Sequence, residues 1–212
     1  MTTFVDIHTH NPLKFNLGVQ NYRLGADPNP PQKPFSAGIH PWDAESTMGH
    51  LTTLLDLLRT TSCVAIGEIG LDKACQVSWE AQTTVFDKQL QIAVERGLPV
   101  IIHSVRAQAE ILALLAHHPT LSAAIFHGFV GSPEQLQELV SRGYFISFGF
   151  SALRSPKTIR AIAACPDENI FLESDTAEQN IASLYAAVAE IRGITIEHLL
   201  EEITNNYNRI FR

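Results

Sequence analysis

Short apolar runs recur along the chain, and between most of them the apolar positions change to a helical spacing. The runs at 3–8 (TFVDIH), 17–23 (LGVQNYR), 35–39 (FSAGI), 63–68 (CVAIGE), 98–103 (LPVIIH), 122–127 (SAAIFH), 144–149 (YFISFG) and 169–174 (NIFLES) predict eight strands. Several are continuous rather than alternating, as in parallel strands covered on both faces. Leu51, Leu54, Leu55 and Leu58 fall at helical spacing, as do Val85, Phe86, Gln89, Leu90, Ala93 and Val94, with Gly97 closing that helix. Ile111, Leu112, Leu114 and Leu115 mark a helix within 107–116. SPEQ at 132–135 predicts a capping box, with Pro133 in the first turn and the helix ending at Gly143. SPKT at 155–158 repeats the Ser-Pro start, Ile181 to Ile191 form a helix before Gly193, and a last helix begins near Thr195.

Alternating parallel strands and helices define an α/β protein, either a doubly wound sheet or a closed (β/α)8 barrel. Eight strands favour the (β/α)8 TIM barrel, with residues 1–212 as one domain. The segments between the first three strands, THNPLKFN and LGADPNPPQKP, carry no helical pattern, and the second holds four prolines. A parallel crossover usually runs through a helix. The first quarter is therefore expected to be a degenerate barrel that lacks outer helices.

The polar residues sharpen this picture. Two residues apart on a strand, His8 and His10 of VDIHTH point to one face. His40, His103 and His127 also fall at the C-terminal ends of predicted strands or just beyond, and Glu68 and Asp175 end the fourth and eighth. In a barrel these ends share the rim that carries active sites. Each residue taken singly has an ordinary structural explanation, such as a satisfied core histidine or a helix cap. Together they form a His/carboxylate cluster suited to Zn²⁺, Mn²⁺ or Fe²⁺, with Mg²⁺ reachable through the carboxylates. Two ions about 3.5–4 Å apart need a bridging carboxylate, for which Glu68 is the candidate. His50, His117, His118 and His198 fall in helices or loops and read as solvated or capping residues.

Net charge is −7, which argues against a broad basic surface for nucleic acid but not against a phosphate held by metal. The three cysteines are odd in number and without a CxxC, as expected of reduced thiols. No run of 18 apolar residues and no signal-peptide pattern are found, so the expectation is a cytoplasmic protein without membrane association. No stable protein partner is inferred.

The stretches DIHTH, GIHPWD, AIGEIGLD, QLQIAVERGLPVIIHS, FHGFVGS, FISFG and FLESD run in an order that resembles the TatD-family metal-dependent hydrolases of the amidohydrolase-like barrel superfamily. NNYNRIF resembles that family's C-terminal helix. The resemblance implies one ion held by His8, His10, Glu68 and Asp175 and a second held by Glu68, His103 and His127, both Zn, Mn or Mg. It places His40 in the substrate pocket, against a phosphate. Departures are HSVR, which sets Arg106 one place later than the usual His-x-Arg, and TAEQNIASLY after Asp175, which lacks the Pro and Arg often found there.

The implied activity is a phosphodiesterase or deoxyribonuclease of 3′–5′ exonuclease type, acting on nucleic acid or a small phosphoester through a metal-activated water. Asp175 and Glu68 would be the catalytic carboxylates, and Asp175 can carry the proton from water to leaving group. His40 and Arg106 would bind substrate, with Arg154 and Lys157 as further cations near strand ends. The alternative is an amidohydrolase, lactonase or esterase acting on a small molecule. Such enzymes often bridge their metals with a carbamylated lysine. Here the bridge position is Glu68, and Lys73 lies five residues past it, off the predicted strand. A non-enzymatic binding protein is disfavoured by the complete ligand set.

Overall fold

The computed structural model describes residues 3–12, 17–59 and 62–211. The strands are β1 (Val5–Thr9), β2 (Leu17–Arg23), β3 (Phe35–Gly38), β4 (Cys63–Asp72), β5 (Val100–Val105), β6 (Ala124–Phe126), β7 (Phe145–Phe148) and β8 (Ile170–Leu172). They are ordered β1 to β8 in one sheet, and the pairs β1–β2, β3–β4, β4–β5, β6–β7 and β7–β8 are parallel. An isolated parallel bridge joins Thr9 to Asp175, just past β8. This is the expected (β/α)8 barrel. The helices are α1 (Thr47–Leu57), α2 (Trp79–Arg96), α3 (Gln108–Leu115), α4 (Pro133–Val140), α5 (Pro156–Ala164), α6 (Ile181–Arg192) and α7 (Ile196–Ile210). Among the described residues no helix lies between β1 and β3; residues 13–16 of the first connection lie outside them.

Two compact units are distinguished. The terminal unit comprises residues 1–20 and 125–212, and the central unit residues 21–124. In the terminal unit the predicted capping box is present: Ser132 accepts the Gln135 amide, and the Gln135 side chain accepts the Ser132 amide. That helix stops at Val140, earlier than expected, because a turn through Arg142 precedes the left-handed Gly143. Thr195 caps α7, whose buried Asn206 donates to the carbonyls of Asp167 and Ile170 and so ties the helix to the start of β8. The Tyr185 hydroxyl of α6 donates to the Val5 carbonyl of β1 at 2.9 Å.

In the central unit α2 packs an apolar face of Val85, Phe86, Leu90 and Ala93. Two glutamines share that buried side. Gln82 Oε1 accepts the Asp72 amide at 2.8 Å while its Nε2 donates to the Asp72 carbonyl. Gln89 does the same for Ile39, at 2.7 and 3.1 Å. Each amide thus satisfies strand-end backbone groups that burial would otherwise leave orphaned. Gly97 closes α2 in the left-handed conformation, as expected.

Candidate functional site

The terminal unit gathers four of the expected residues. His8 sits inside β1, fully buried, and His10 one residue past its end. Their rings meet edge to face at 5.3 Å, as the two-residue spacing predicted. Asp175 lies three residues beyond β8, further than expected. Its Oδ1 stands 3.9 Å from His8 Nε2 and 3.5 Å from His10 Nε2, so the three can hold one metal ion. Its backbone takes a left-handed φ of 51°, uncommon for a non-glycine residue. That conformation is secured by backbone bonds to β1, from the Asp175 amide to the His8 carbonyl and from the His10 amide to the Asp175 carbonyl. His127 follows β6, and its ring lies 4.3 Å from that of His8.

Two further carboxylates serve this unit, and sequence reasoning missed both. Glu173 is fully buried at the end of β8. Its Oε1 accepts the Gly128 amide at 2.7 Å and faces His127 Nδ1 at 3.2 Å. Gly128, at φ 57°, makes the left-handed turn that brings its N–H there. With the ring proton on Nδ1, His127 Nε2 keeps a lone pair for a metal, the usual carboxylate–histidine arrangement around a ligand. Asp6 accepts the amide and hydroxyl of Ser174 at 2.9 and 2.7 Å. Burial, aided by the nearby charge of Glu173, raises its carboxyl to about 7. The available signal was an acid inside each apolar run, costly unless it is satisfied.

The central unit gathers Glu68, His103 and His40. Glu68 does not end its strand as predicted. β4 runs on to Asp72, with a register shift against β5 between Ile66 and Ile69. Such irregularities re-aim a side chain within a strand. The strand continues because Gly70 lets β4 and β5 approach: a Cβ there would lie 2.0 Å from the His103 carbonyl oxygen. Glu68 Oε1 meets His103 Nδ1 at 2.7 Å and His40 Nε2 at 3.3 Å; the three atoms are grouped closely enough for a metal ion, with Glu68 and His103 as the candidate ligands and His40 as a hydrogen-bond donor. The buried Asn21 of β2 accepts the Glu68 amide at 3.0 Å.

His40 has a defined role in this trio. Its Nδ1 accepts the Trp42 amide at 3.2 Å, so the neutral ring carries its proton on Nε2, toward Glu68. Burial favours that neutral form, holding its pKa below the usual histidine range. Asp72 was also missed. It accepts the Trp42 indole N–H at 2.7 Å and the Ala74 amide at 2.7 Å, and its Oδ2 lies 3.4 Å from His103 Nε2. Burial pushes its carboxyl up, but these hydrogen bonds outweigh it and leave the pKa below the usual carboxylate range.

The remaining candidates lie apart from these groups. Arg106 is exposed just past β5 at φ 54°, and among the described residues no hydrogen bond or ion pair engages it. Lys73 follows β4, where Glu110 pairs with its ammonium. His118 pairs with Asp87 and His198 with Asp167, in keeping with their reading as peripheral residues.

Fold and donor sets together define the class: a (β/α)8 barrel with side chains at and beyond its strand ends that can hold a metal ion. The TatD related DNase family profile matches residues 26–212. An uncharacterised metal-dependent hydrolase of Haemophilus influenzae is 33% identical over 69% of this chain, which spans 60% of that relative's length. A protein of Edwardsiella piscicida named 3′-5′ ssDNA/RNA exonuclease TatD is 36% identical over 66% of this chain and 56% of its own length. The crystal structure of YjjV, a TatD homologue of Escherichia coli, superposes with a TM-score of 0.87 at 26% identity, covering 98% of this chain and 97% of that one. The chain belongs to the TatD family of metal-dependent hydrolases.

Proposed function

We propose that the chain is a metal-dependent phosphodiesterase that removes nucleotides from an end of single-stranded nucleic acid. The observation that carries this reading is the pairing of two His/carboxylate donor sets, one in each unit, in a chain with a relative named as a 3′-5′ ssDNA/RNA exonuclease. The donors are imidazole nitrogens and carboxylate oxygens, a combination that fits Zn²⁺ or Mn²⁺. His8, His10 and Asp175 of the terminal unit, Glu68 and His103 of the central unit, and His127 would hold divalent ions. When bound, such ions lower the pKa of water and neutralise phosphate oxygens.

The chain's own residues supply the rest. Asp175 is the half-exposed member of its set, so its carboxylate can take a proton from the attacking water and return it to the leaving oxygen. Arg106 presents an exposed guanidinium as a contact for phosphate oxygens, while His40 lends its N–H to Glu68. The three cysteines are free thiols, and no helix among the described residues is long and apolar enough to cross a membrane, which supports a cytoplasmic setting.

The test is direct. Protein loaded with Zn²⁺ or Mn²⁺ should bind up to two ions, shorten a single-stranded oligonucleotide from one end, and lose that activity to a chelator. Glu68→Ala should lower the bound-metal stoichiometry. Absence of bound metal, or turnover of a lactone panel with no oligonucleotide cleaved, would overturn the reading.

A further inference from the structure

A cavity of about 250 Å³ opens in the terminal unit, with Gly149, Ser151, Arg154, Glu173, Asp175 and Gln179 among its lining residues. We propose that it is the subsite for the phosphate adjacent to the scissile one. This rests on the phosphodiesterase reading above and adds a residue set that decides which substrates are preferred.

Position comes first. Asp175 is a wall of the cavity, so whatever enters stands beside the reacting atoms. Three of the polar lining residues carry no negative charge. Arg154, Ser151 and Gln179 are exposed and offer a guanidinium, a hydroxyl and an amide. Among the described residues none of the three side chains is engaged in a hydrogen bond or ion pair. Arg154 is the cation among these lining residues. A guanidinium matches phosphate through two parallel N–H bonds.

Arg154 has a defined place in the backbone. It ends the short 3₁₀ helix Phe150–Arg154, anchored by the buried Ala152, whose amide donates to the Gly149 carbonyl at 3.0 Å. Glu173 and Asp175 repel an anion and Arg154 attracts one, which assigns the phosphate to Arg154. The volume lies just below the ~300–1,000 Å³ of small-molecule sites, room for one sugar-phosphate unit.

The test compares two substrates of the metal-loaded full-length chain. The dinucleotide dTpdT has one phosphodiester; dTpdTpdT adds a neighbouring phosphate. Wild type should prefer the trinucleotide in kcat/KM by about tenfold, the worth of one charge-assisted contact. Arg154→Met should bring that preference close to one, mainly through KM. Gly149→Ala supplies an independent probe. Gly149 has an ordinary extended φ of −103°, and an added Cβ would meet Glu173 Cγ at 3.5 Å, so the change narrows the cavity without backbone strain. It should cut the preference severalfold with an unchanged Tm. Wild type that cleaves both substrates equally, or variants that keep the wild-type preference, would overturn the subsite and leave the phosphodiesterase reading standing. Cleavage of neither by wild type would overturn both.

Discussion

In the terminal unit His10 and Asp175 keep 29% and 43% of their side-chain surface exposed, whereas in the central unit His40 and Glu68 keep 4% and 6%. The two sets use the same residue types under different physical conditions. The terminal set meets water, borders a cavity, and holds its carboxylate on an uncommon backbone conformation. The central set is dry and fixed in advance by Asn21, Trp42 and Asp72. Under the proposed function the contrast is a division of labour: groups that would exchange protons and admit substrate stay open, while groups that would only hold their geometry are buried and hydrogen-bonded.

The largest expected effect falls on the open set. Asp175→Asn keeps size and one coordinating oxygen but removes basicity. Turnover should drop by the ~10²–10⁴-fold of general acid–base catalysis, with metal content changing far less. Parallel loss of metal and activity, both restored by excess metal, would make Asp175 a ligand only and break the contrast. Supporting carboxylates come next. Glu173→Ala should weaken metal affinity by about 10–100-fold, as removal of a ligand's hydrogen-bond partner does. Glu173→Gln, which can still accept the Gly128 amide, should recover part of it. Titration of the metal-free variants with Zn²⁺ against a competing chelator measures both.

Smaller effects probe the scaffold. Gln89→Leu leaves the Ile39 amide and carbonyl buried without partners, which costs about 1–3 kcal/mol per orphaned group. At roughly 2–4 °C per kcal/mol for a chain of this size, thermal unfolding should move several degrees lower. Ser132→Ala removes one cap of α4 in the terminal unit and should cost about 1 kcal/mol, seen as a slight shift in the same experiment. A fall in metal affinity with Ser132→Ala would show that the terminal set depends on its periphery as strongly as the central set depends on α2.

Much of this was legible in the sequence, for physical reasons. Short continuous apolar runs such as PVII and AAIF, alternating with longer helical patterns, read as doubly covered strands, and all eight strands appear close to their predicted positions. Gly97 and Gly193 ended helices because the left-handed cap favours glycine. His8 and His10 were readable from the period of a strand. What escaped notice depends on neighbours distant in sequence. Nothing local to Glu68 indicates that β4 will run past it; the close approach of Gly70 to His103 decides that. Glu173 serves His127 across 46 positions, and Asp72 serves Trp42 across 30. Both acids were in plain view in FLESD and GLD, but only tertiary structure supplies their partners.

The two glutamines of α2 have a consequence for how the chain can vary. Positions 82 and 89 are seven residues apart, about two helical turns, and each must give and receive a hydrogen bond at one fixed reach. Glutamate brings a charge and no donor, asparagine falls a methylene short, and leucine offers neither bond. Randomising α2 and selecting for folded protein should therefore return a mixed apolar alphabet at Val85, Phe86 and Leu90 but glutamine alone at the other two. Drift is free across most of that helix and closed at the points where it grips the ends of β4 and β3.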